Sequence, residues 1–458
     1  MKITNLYHSK YWFFIVLLLS LIACKKDDEP VKDNEDAYFV QKKFIWELTE
    51  TYYYWVNKLP LNPDLSGFDN PYELFDSLKY TPDDRWSFVI ENYQELQNSI
   101  DGIEKTMGYQ LKLFKVAGSN QVFAVVEYVF ANSPAATAGM ERGNVIVKIN
   151  GTVIDTSNYS GLFSLTSYNV ALATLSEGVL TETGVTKSLV AIEMTINPVL
   201  LSKIIDVNGK KVGYLLYSQF IENYKADLER VFANFKMAGV SELVLDFRFN
   251  PGGYLSTCLT LASMAGPSGL DSKPFLYFEW NSLLNDYFLQ REGEDSPNLK
   301  MVFQNHANNL GLSRVFILTS SGTASASEMI ITSLKPYMNV VLIGETTHGK
   351  YTSAYLFNDV ENATNLWGLY LVTSKMLNAN KEMNFKDGFV PDYPVEDTYN
   401  IPLGDSNEPL LAKAIEIVSG TVIAKSKSEK RQFEYLTSIG RNKVIESGIL
   451  LNNVKLKK

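Results

Sequence analysis

The chain has 458 residues, of which 46% are hydrophobic and 20% are charged, which is the composition of an ordinary globular protein. The length suggests about three domains and leaves room for a large core. The formal net charge of −9 at pH 7 argues against a nucleic-acid partner.

The N-terminus has the pattern of an export signal. An uncharged run from Tyr11 to Ala23 follows two lysines, and it is too short for a membrane span, which needs about 20 residues. It has the length of a signal-peptide core. The run ends in Leu21-Ile22-Ala23-Cys24, which resembles a bacterial lipobox. This resemblance implies that residues 1–23 are a lipoprotein signal peptide and that Cys24 is lipidated. The alternative is an ordinary signal peptide with a chance cysteine.

A charged run, Lys25–Glu29, follows and resembles the surface-export tag of lipoproteins in some Gram-negative bacteria. A solvated tether explains the same charges, and we expect residues 24–36 to be flexible. Together these features predict a protein held at the outer membrane by its lipid, either on the cell surface or facing the periplasm.

The next segment is predicted to be helical. Apolar side chains recur at helical spacing from Phe44 to Trp55, which predicts an amphipathic helix over Asp36–Asn57. Pro71–Leu78 indicates a second, shorter helix. We therefore expect residues 37–95 to form an N-terminal helical domain.

A β-rich region follows. Gly108–Leu113 and Val122–Phe130 have the pattern of strands. The stretch from Asn132 to Gly151 then resembles the middle of a PDZ domain, with its short helix, turn and following strand. The alternative is an unrelated β-rich domain.

The PDZ resemblance implies a domain over residues 96–197. In that family, backbone amides of a glycine-containing loop hold the C-terminal carboxylate of a peptide, which adds as a strand to the sheet edge. The corresponding loop here would be Met107, Gly108 and Tyr109. We expect Asn169–Leu175 to be the helix that lines the groove.

From Val212 onward, apolar strands alternate with helices, which predicts a partly parallel sheet with crossovers. The helices are expected at Tyr224–Met237 and Leu255–Ala265. This α/β core is expected to span residues 198–425, and a loosely packed tail to span 426–458. The predicted strands are Val212–Gln219, Leu243–Asp246, Val315–Leu318, Val340–Gly344 and Leu369–Lys375.

Small residues occupy a strand-to-helix turn in this core. A buried strand precedes Ser320, and apolar residues at helical spacing follow Ser325. Such a turn can expose a hydroxyl above a sheet, beside free N–H groups of the helix start. The pair Ser325 and Glu328 also fits a capping box, so a purely structural role stays open.

Few residues in the sequence could act as the general base for such a hydroxyl. Beyond the signal peptide, the sequence has two histidines, His306 and His348, and they are too far apart along the chain to make a zinc motif with one cysteine. No cofactor or metal is therefore expected. Lys350 follows a buried strand and a glycine, and burial lowers the pKa of an ammonium group. A neutral lysine can take a proton from a serine, although a Ser-His arrangement with His348 remains an alternative.

Two motifs resemble the S41 peptidases, the C-terminal processing proteases. Ser325-Ala326-Ser327-Glu328 resembles the end of the family's "SASASE", and the stretch Gly344–Lys350 resembles its "GExTxGK". The resemblance implies an α/β fold with a core of the ClpP/crotonase type. It also implies that Ser325 is the nucleophile and that Lys350, twenty-five residues later, is its base.

A third motif is Asp246–Gly253, which resembles the family's "DLRxNPGG". In the family, a glycine amide of this loop and the amide after the nucleophile form the oxyanion hole. Carried over, these donors are Gly252, or Gly253, and Ala326.

One position departs from the family. Many members have glutamine four residues after the lysine, where it orients the amine, and this chain has Ala354. Thr352 and Ser353 are candidates to replace it.

The resemblance therefore predicts a lipid-anchored serine endopeptidase that cleaves polypeptides recognised by their C-termini. The alternatives are a catalytically weak or inactive lipoprotein of the same fold that binds peptides or hydrophobic ligands, and a Ser-His esterase. The sequence does not predict the oligomeric state.

Overall fold

The computed structural model describes residues 36–176, 178–420 and 433–439, together with the strand pairing of residues 449–450. Cys24 and the predicted signal peptide lie outside the described residues. Within the described residues, no helix is long and apolar enough to cross a membrane.

The N-terminal segment packs on the core through one face of its first helix and one face of its second. Its elements are α1 (Phe39–Tyr52), α2 (Pro71–Leu78), β1 (Phe88–Ile90) and α3 (Tyr93–Ile100). The first helix is shorter than the predicted Asp36–Asn57. Its backbone turns extended at Tyr53, whose ring is buried and whose hydroxyl donates to Asp84 at 2.8 Å. Tertiary packing of one aromatic residue therefore ends the helix before its apolar pattern ends.

The next part of the chain, residues 103–195, is a β-rich module. Its strands are β2 (Ile103–Thr106), β3 (Tyr109–Val116), β4 (Val122–Val129), β5 (Val145–Ile149), β6 (Thr152–Val153), β7 (Ser167–Ser176), β8 (Val179–Val190) and β9 (Ile192–Thr195). Two short helices interrupt them, α4 (Pro134–Thr137) and α5 (Tyr159–Phe163). The strands form a sheet in the order β3-β4-β5-β7-β8, and β2 pairs with β9.

The expectation of a helix over Asn169–Leu175 was wrong, because this stretch lies within strand β7. Tyr168, Val170 and Leu172 are buried, with more exposed residues between them. This alternation is the period of two that a strand produces. The stretch is therefore a strand and not the helix that the resemblance suggested. The short helix α5 packs on the apolar core of this module, and the ring centre of its Phe163 lies 6.4 Å from that of Tyr168 in β7.

The core contains most of the remaining helices and strands. They are β10 (Val199–Val207), β11 (Lys210–Tyr217), α6 (Lys225–Ala238), β12 (Glu242–Asp246), α7 (Leu255–Ala265), β13 (Pro274–Trp280), α8 (Ser282–Glu292), β14 (Lys300–Val302), β15 (Arg314–Thr319), α9 (Ala326–Leu334), β16 (Asn339–Gly344), β17 (Thr352–Asn358), β18 (Gly368–Leu377), β19 (Tyr393–Pro394) and α10 (Pro409–Ser419).

One core sheet has the order β10-β11-β12-β15-β16-β19 and is parallel from β11 onward. Strand β12 is buried along its whole length, and β15 along all but its first residue, as expected for parallel strands covered by helices on both faces. A second sheet has the order β14-β13-β18-β17-β21, where β21 is Ile449–Leu450. The predicted partly parallel core is confirmed.

The stretch 433–439, which we expected to belong to a loosely packed tail, is a strand, β20 (Phe433–Ile439). It pairs antiparallel with β3 of the β-rich module. The sequence around it is rich in lysine and serine, so the strand was not predicted. Its apolar residues Phe433, Leu436 and Ile439 contact the module.

Candidate active site

Three loops meet at one edge of the parallel sheet. Leu318 of β15 lies opposite Asp246 of β12 on one side and opposite Ile343 of β16 on the other. Since the strands are parallel, their carboxyl ends lie together, and the segments that follow them converge. These segments carry the residues predicted for catalysis: the glycine loop (residues 247–253), the small-residue turn (320–325) and the lysine loop (345–350).

Ser325 ends the small-residue turn in a strained backbone conformation. Its φ is 61° and its ψ is −115°, a combination that L residues rarely adopt. The side chain is buried, and its Oγ has no hydrogen-bond partner among the described residues. Strain of this kind persists only where the surrounding structure holds it, and it clusters at functional sites. The hydroxyl makes no side-chain cap hydrogen bond, whereas the Glu328 carboxylate accepts the Ser325 N–H in the manner of a capping box.

Glu328 holds this turn and the lysine loop together. Its Oε2 accepts the N–H of Ser325 and the N–H of Lys350, each at 2.8 Å. The two backbone nitrogens are therefore no more than twice that distance, 5.6 Å, apart. Its Oε1 accepts from Thr347 Oγ1 at 2.6 Å and from Gly349 N at 2.7 Å. Burial raises the pKa of the Glu328 carboxyl, and these hydrogen bonds to the carboxylate oppose that shift.

The amine of Lys350 lies in a closed aromatic environment. Its Nζ is 5.6 Å from the ring centre of Trp86 and 5.1 Å from that of Tyr370, and it donates to the Tyr370 hydroxyl at 3.3 Å. Burial lowers the pKa of Lys350 well below its usual value, although the carboxylates of Asp84 and Glu328 act in the opposite direction. Neutral amine, which can act as a base, is therefore present at lower pH than for an ordinary lysine.

The glycine loop lies directly against Ser325. A Cβ built on Gly252 would be 2.8 Å from the Cβ of Ser325 and 3.0 Å from the Ala326 nitrogen. Only glycine fits there, and its φ of +113° also favours glycine. Ala326 is the first residue of α9, so its N–H has no acceptor within the helix.

The two glycines predicted as oxyanion donors, Gly252 and Gly253, differ in their contacts. The Gly252 N–H donates to Asn250 Oδ1 at 2.9 Å. The neighbouring Gly253 sits where a Cβ would lie 2.2 Å from the carbonyl oxygen of Phe220. The Gly252 N–H is therefore bonded within its own loop, although Gly252 is the glycine that lies against Ser325 and Ala326.

Asn250 fixes the glycine loop to the small-residue turn. Its backbone oxygen accepts from Ala324 N at 3.1 Å and from Ser327 Oγ at 3.0 Å, and its side-chain nitrogen donates to Tyr217 O at 2.9 Å. The asparagine is fully buried. These bonds keep the glycine loop and the turn in one fixed arrangement.

A buried ion network supports the same loop from below. The Arg248 side chain pairs with Asp246 at 2.8 Å, with Glu408 at 2.7 Å and with Asp397 at 3.1 Å. Asp397 also pairs with Arg142, which belongs to the β-rich module. The network therefore connects the module to the loop that borders Ser325.

Two models of one peptidase family match this chain. The model of peptidase family S41 matches residues 211–395, and the model of the S41 peptidase N-terminal domain matches residues 40–88. The chain belongs to peptidase family S41.

Individual relatives of this S41 peptidase are distant but cover most of its length. A carboxyl-terminal-processing protease of Picosynechococcus sp. is 26% identical over 70% of this chain and 72% of its own. One from Synechocystis sp. is 24% identical over 84% of this chain and 83% of its own. A crystal structure of a Bacteroides fragilis protein named as an S41 protease superposes with a TM-score of 0.68 at 28% identity, covering 82% of this chain and 97% of that one.

The position where many S41 peptidases have glutamine is filled without a polar group. Ala354 lies buried in β17, and the two candidate substitutes do not reach the lysine amine. Ser353 Oγ shares a hydrogen bond with Ser374 Oγ at 2.5 Å, and Thr352 Oγ1 has no partner within the described residues. The group that contacts the amine is Tyr370.

Sequence reasoning missed Tyr370 because it lies twenty residues after Lys350, on the neighbouring strand β18. Register brings it close, since Tyr370 pairs with Leu356 of β17. The signal that could have found it is a tyrosine between the apolar residues Leu369 and Leu371 of a buried strand. A buried phenol needs a polar partner, and here Lys350 is one.

His348, the alternative base, does not contact Ser325 Oγ. Its side chain is exposed beside a cavity of about 280 Å³ above the small-residue turn. Its backbone N–H donates to Thr323 O at 2.9 Å. Partial desolvation of the imidazole by its loop, with the nearby positive charges of Arg85 and Lys350, lowers the pKa of His348. Nothing in this geometry favours a Ser-His esterase.

The predicted carboxylate loop lies at the start of β3. Gly108 has φ of +83°, its N–H donates to Thr106 Oγ1 at 3.0 Å, and its carbonyl oxygen accepts from Phe130 N and Ser133 Oγ. A cavity of about 510 Å³ opens beside the loop. We call it the module groove; its walls include Lys105, Met107, Tyr109, Phe163, Tyr168 and Ile439.

Proposed function

We propose that this S41 peptidase is a serine endopeptidase in which Ser325 is the nucleophile and Lys350 is the general base. One observation carries the proposal: a single buried carboxylate oxygen of Glu328 accepts the backbone N–H of both residues. The strained backbone of Ser325 and the buried amine of Lys350 are further support.

In the proposed reaction, neutral Lys350 takes the proton of Ser325 Oγ as the oxygen attacks a peptide carbonyl. The amides of Ala326 and of Gly253, or Gly252, stabilise the oxyanion, and donors of this kind contribute about 3 kcal/mol each. The protonated Lys350 then gives its proton to the leaving amine. Water hydrolyses the acyl-enzyme that remains.

We infer that the site is in a resting arrangement, since the Ser325 hydroxyl makes no hydrogen bond to any described residue and the amine donates to Tyr370. The short separation of the two backbone nitrogens supports the view that a change in the Lys350 side chain alone assembles the pair. Catalytic hydrogen bonds in substrate-free sites are often long and shorten in the complex.

We further propose that the β-rich module acts as a PDZ-type domain and binds the C-terminus of the polypeptide substrate. The module groove, the positive-φ Gly108 and strand β3, whose outer side pairs with the C-terminal strand β20, support this. The relatives named carboxyl-terminal-processing proteases agree with recognition of a C-terminus.

The lipid anchor is part of the proposal and is supported by the Leu21–Cys24 motif. If Cys24 carries the lipid, a Cys24→Ser variant loses its attachment and moves from the membrane fraction to the soluble fraction. Fractionation of cells that produce the two proteins measures this. A variant that stays with the membrane contradicts lipidation at Cys24.

The assignment of Lys350 as the base can be tested through Tyr370. In the wild type, kcat/KM should rise with pH as Lys350 loses its proton, with a midpoint below that of an ordinary lysine. In Tyr370→Phe the ammonium loses a hydrogen-bond acceptor, so its pKa falls further and the midpoint moves to lower pH. We expect kcat to fall about tenfold, because the amine is less well oriented.

Tyr355→Phe is the matched control, since Tyr355 is a buried tyrosine on the adjacent strand whose hydroxyl has no partner in the described part of the chain. It should keep both the rate and the midpoint. Equal pH profiles for wild type and Tyr370→Phe would contradict the role given to Lys350.

A further inference from the structure

The peptide-binding edge of the β-rich module is occupied by the chain itself. Strand β20 pairs antiparallel with β3 from Phe433 opposite Val116 to Ile439 opposite Leu111. It therefore runs toward the start of β3, where Gly108 lies. A peptide that augments a sheet edge and ends at a carboxylate loop beside Gly108 would lie on the same edge and run in the same direction.

The side chains of β20 are anchored as those of a bound peptide would be. Leu436 and Ile439 pack against the apolar core of the module, and Ile439 forms part of the wall of the module groove. Phe433 contacts the ring of Phe123, with ring centres 4.9 Å apart. Alternate pockets along an added strand are how such grooves select sequences.

The same strand also lies near the edge of the parallel sheet where the glycine loop and the small-residue turn meet. Tyr435 and Ser438 line the cavity of about 280 Å³ whose other walls include Pro251 and Ala324, the neighbours of Gly252 and Ser325. Farther along the chain, β21 pairs in parallel with Ser353 and Ala354, just after Lys350. The C-terminal segment thus lies against both the module groove and the strand that follows the base.

We infer that Phe433–Ile439 is an internal ligand of the module groove and holds the peptidase in its resting arrangement until a substrate C-terminus displaces it. The inference rests on the proposed function only in taking this groove as the peptide site. An internal segment competes at an effective concentration on the order of millimolar. Weak peptides are then excluded, and tight ones release the enzyme.

Peptide binding tests this inference independently of catalysis. The probe is a fluorescein-labelled heptapeptide with the sequence of residues 433–439 and a free carboxylate, measured by fluorescence anisotropy on proteins that all carry Ser325→Ala. Leu436→Asp with Ile439→Asp removes the two apolar anchors and should release the strand. We expect the released protein to bind the probe at least about tenfold more tightly than its parent, because the internal competitor is gone.

A disulfide that holds β20 on β3 should have the opposite effect on probe binding. Lys115 and Glu434 are directly opposite and form an ion pair at 3.6 Å, so Lys115→Cys with Glu434→Cys places two thiols within reach of a disulfide. Oxidised protein should not bind the probe, and reduction should restore the parent's binding. Because one protein is compared in two redox states, a folding defect cannot produce this difference.

Glu434→Ala, on the same strand but mostly exposed, is the control and should bind like the parent. Binding that is equal in the released, locked and parent proteins, or absent from all three, overturns the inference and makes β20 a permanent strand of the module. An amidated probe separates the two proposals. If it binds as well as the free acid while the release and lock effects persist, the internal ligand stands and carboxylate recognition by the groove fails.

Discussion

Ser325→Ala should abolish cleavage of unfolded polypeptides, with kcat falling by about 10⁴-fold or more, while the protein stays folded. Loss of the nucleophile leaves only the contributions of substrate binding and the oxyanion donors. The hydroxyl makes no hydrogen bond to the described residues, so its removal breaks no contact that holds the fold. Hydrolysis of a denatured protein substrate, with circular dichroism to check folding, measures both parts.

Two neighbouring serines serve as controls. Ser321 is exposed on the same turn, and Ser321→Ala should keep near wild-type activity. Ser327 donates to Asn250 O at 3.0 Å, so Ser327→Ala should lose about 1 kcal/mol of stability but retain cleavage. Full activity in Ser325→Ala, or its loss in Ser321→Ala, would move the nucleophile elsewhere.

Glu328→Gln should lower the free energy of unfolding by about 2–6 kcal/mol, which is the largest stability effect we expect from a single substitution. The carboxylate accepts four hydrogen bonds, two on each oxygen, from Ser325, Thr347, Gly349 and Lys350. An amide replaces one acceptor oxygen with a donor. Two buried donors are then left unpaired, at about 1–3 kcal/mol each.

The same substitution should reduce kcat by about 100-fold or more, because the turn that carries Ser325 and the loop that carries Lys350 lose their common acceptor. Chemical denaturation and substrate hydrolysis measure the two effects. Glu47→Gln is the comparison: that carboxylate is exposed, pairs with Lys43 at 3.8 Å, and should change stability by less than about 0.5 kcal/mol. A decrease in the free energy of unfolding of less than about 1 kcal/mol in Glu328→Gln would contradict the role of Glu328 as the shared acceptor of the two loops.

The core of the fold could be predicted from local sequence because its signals are strong. Continuous apolar runs gave the strands β12, β15 and β16, and helix α7 was predicted with its observed limits, Leu255–Ala265. Elements of this kind are fixed by burial along their whole length, and short-range pattern is enough to find them.

The features that sequence missed depend on contacts between distant residues. Tyr370 reaches Lys350 only through the register of two antiparallel strands, and β7 replaced a helix that the resemblance had suggested. Strand β20 lies in a polar, lysine-rich segment, and only its pairing with β3 makes it a strand. Glu328 was predicted as half of a capping box, whereas its carboxylate also binds the lysine loop.

Covalent labelling tests the central assignment most directly. The protein is treated with a fluorophosphonate that reacts with activated serines, and the modified peptide is located by mass spectrometry. We predict that the label is attached to Ser325 in the wild type and that labelling falls at least about 100-fold in Lys350→Met, which removes the base. A label on Ser321 or Ser327, or labelling of Ser325 that does not depend on Lys350, would contradict the Ser325–Lys350 assignment.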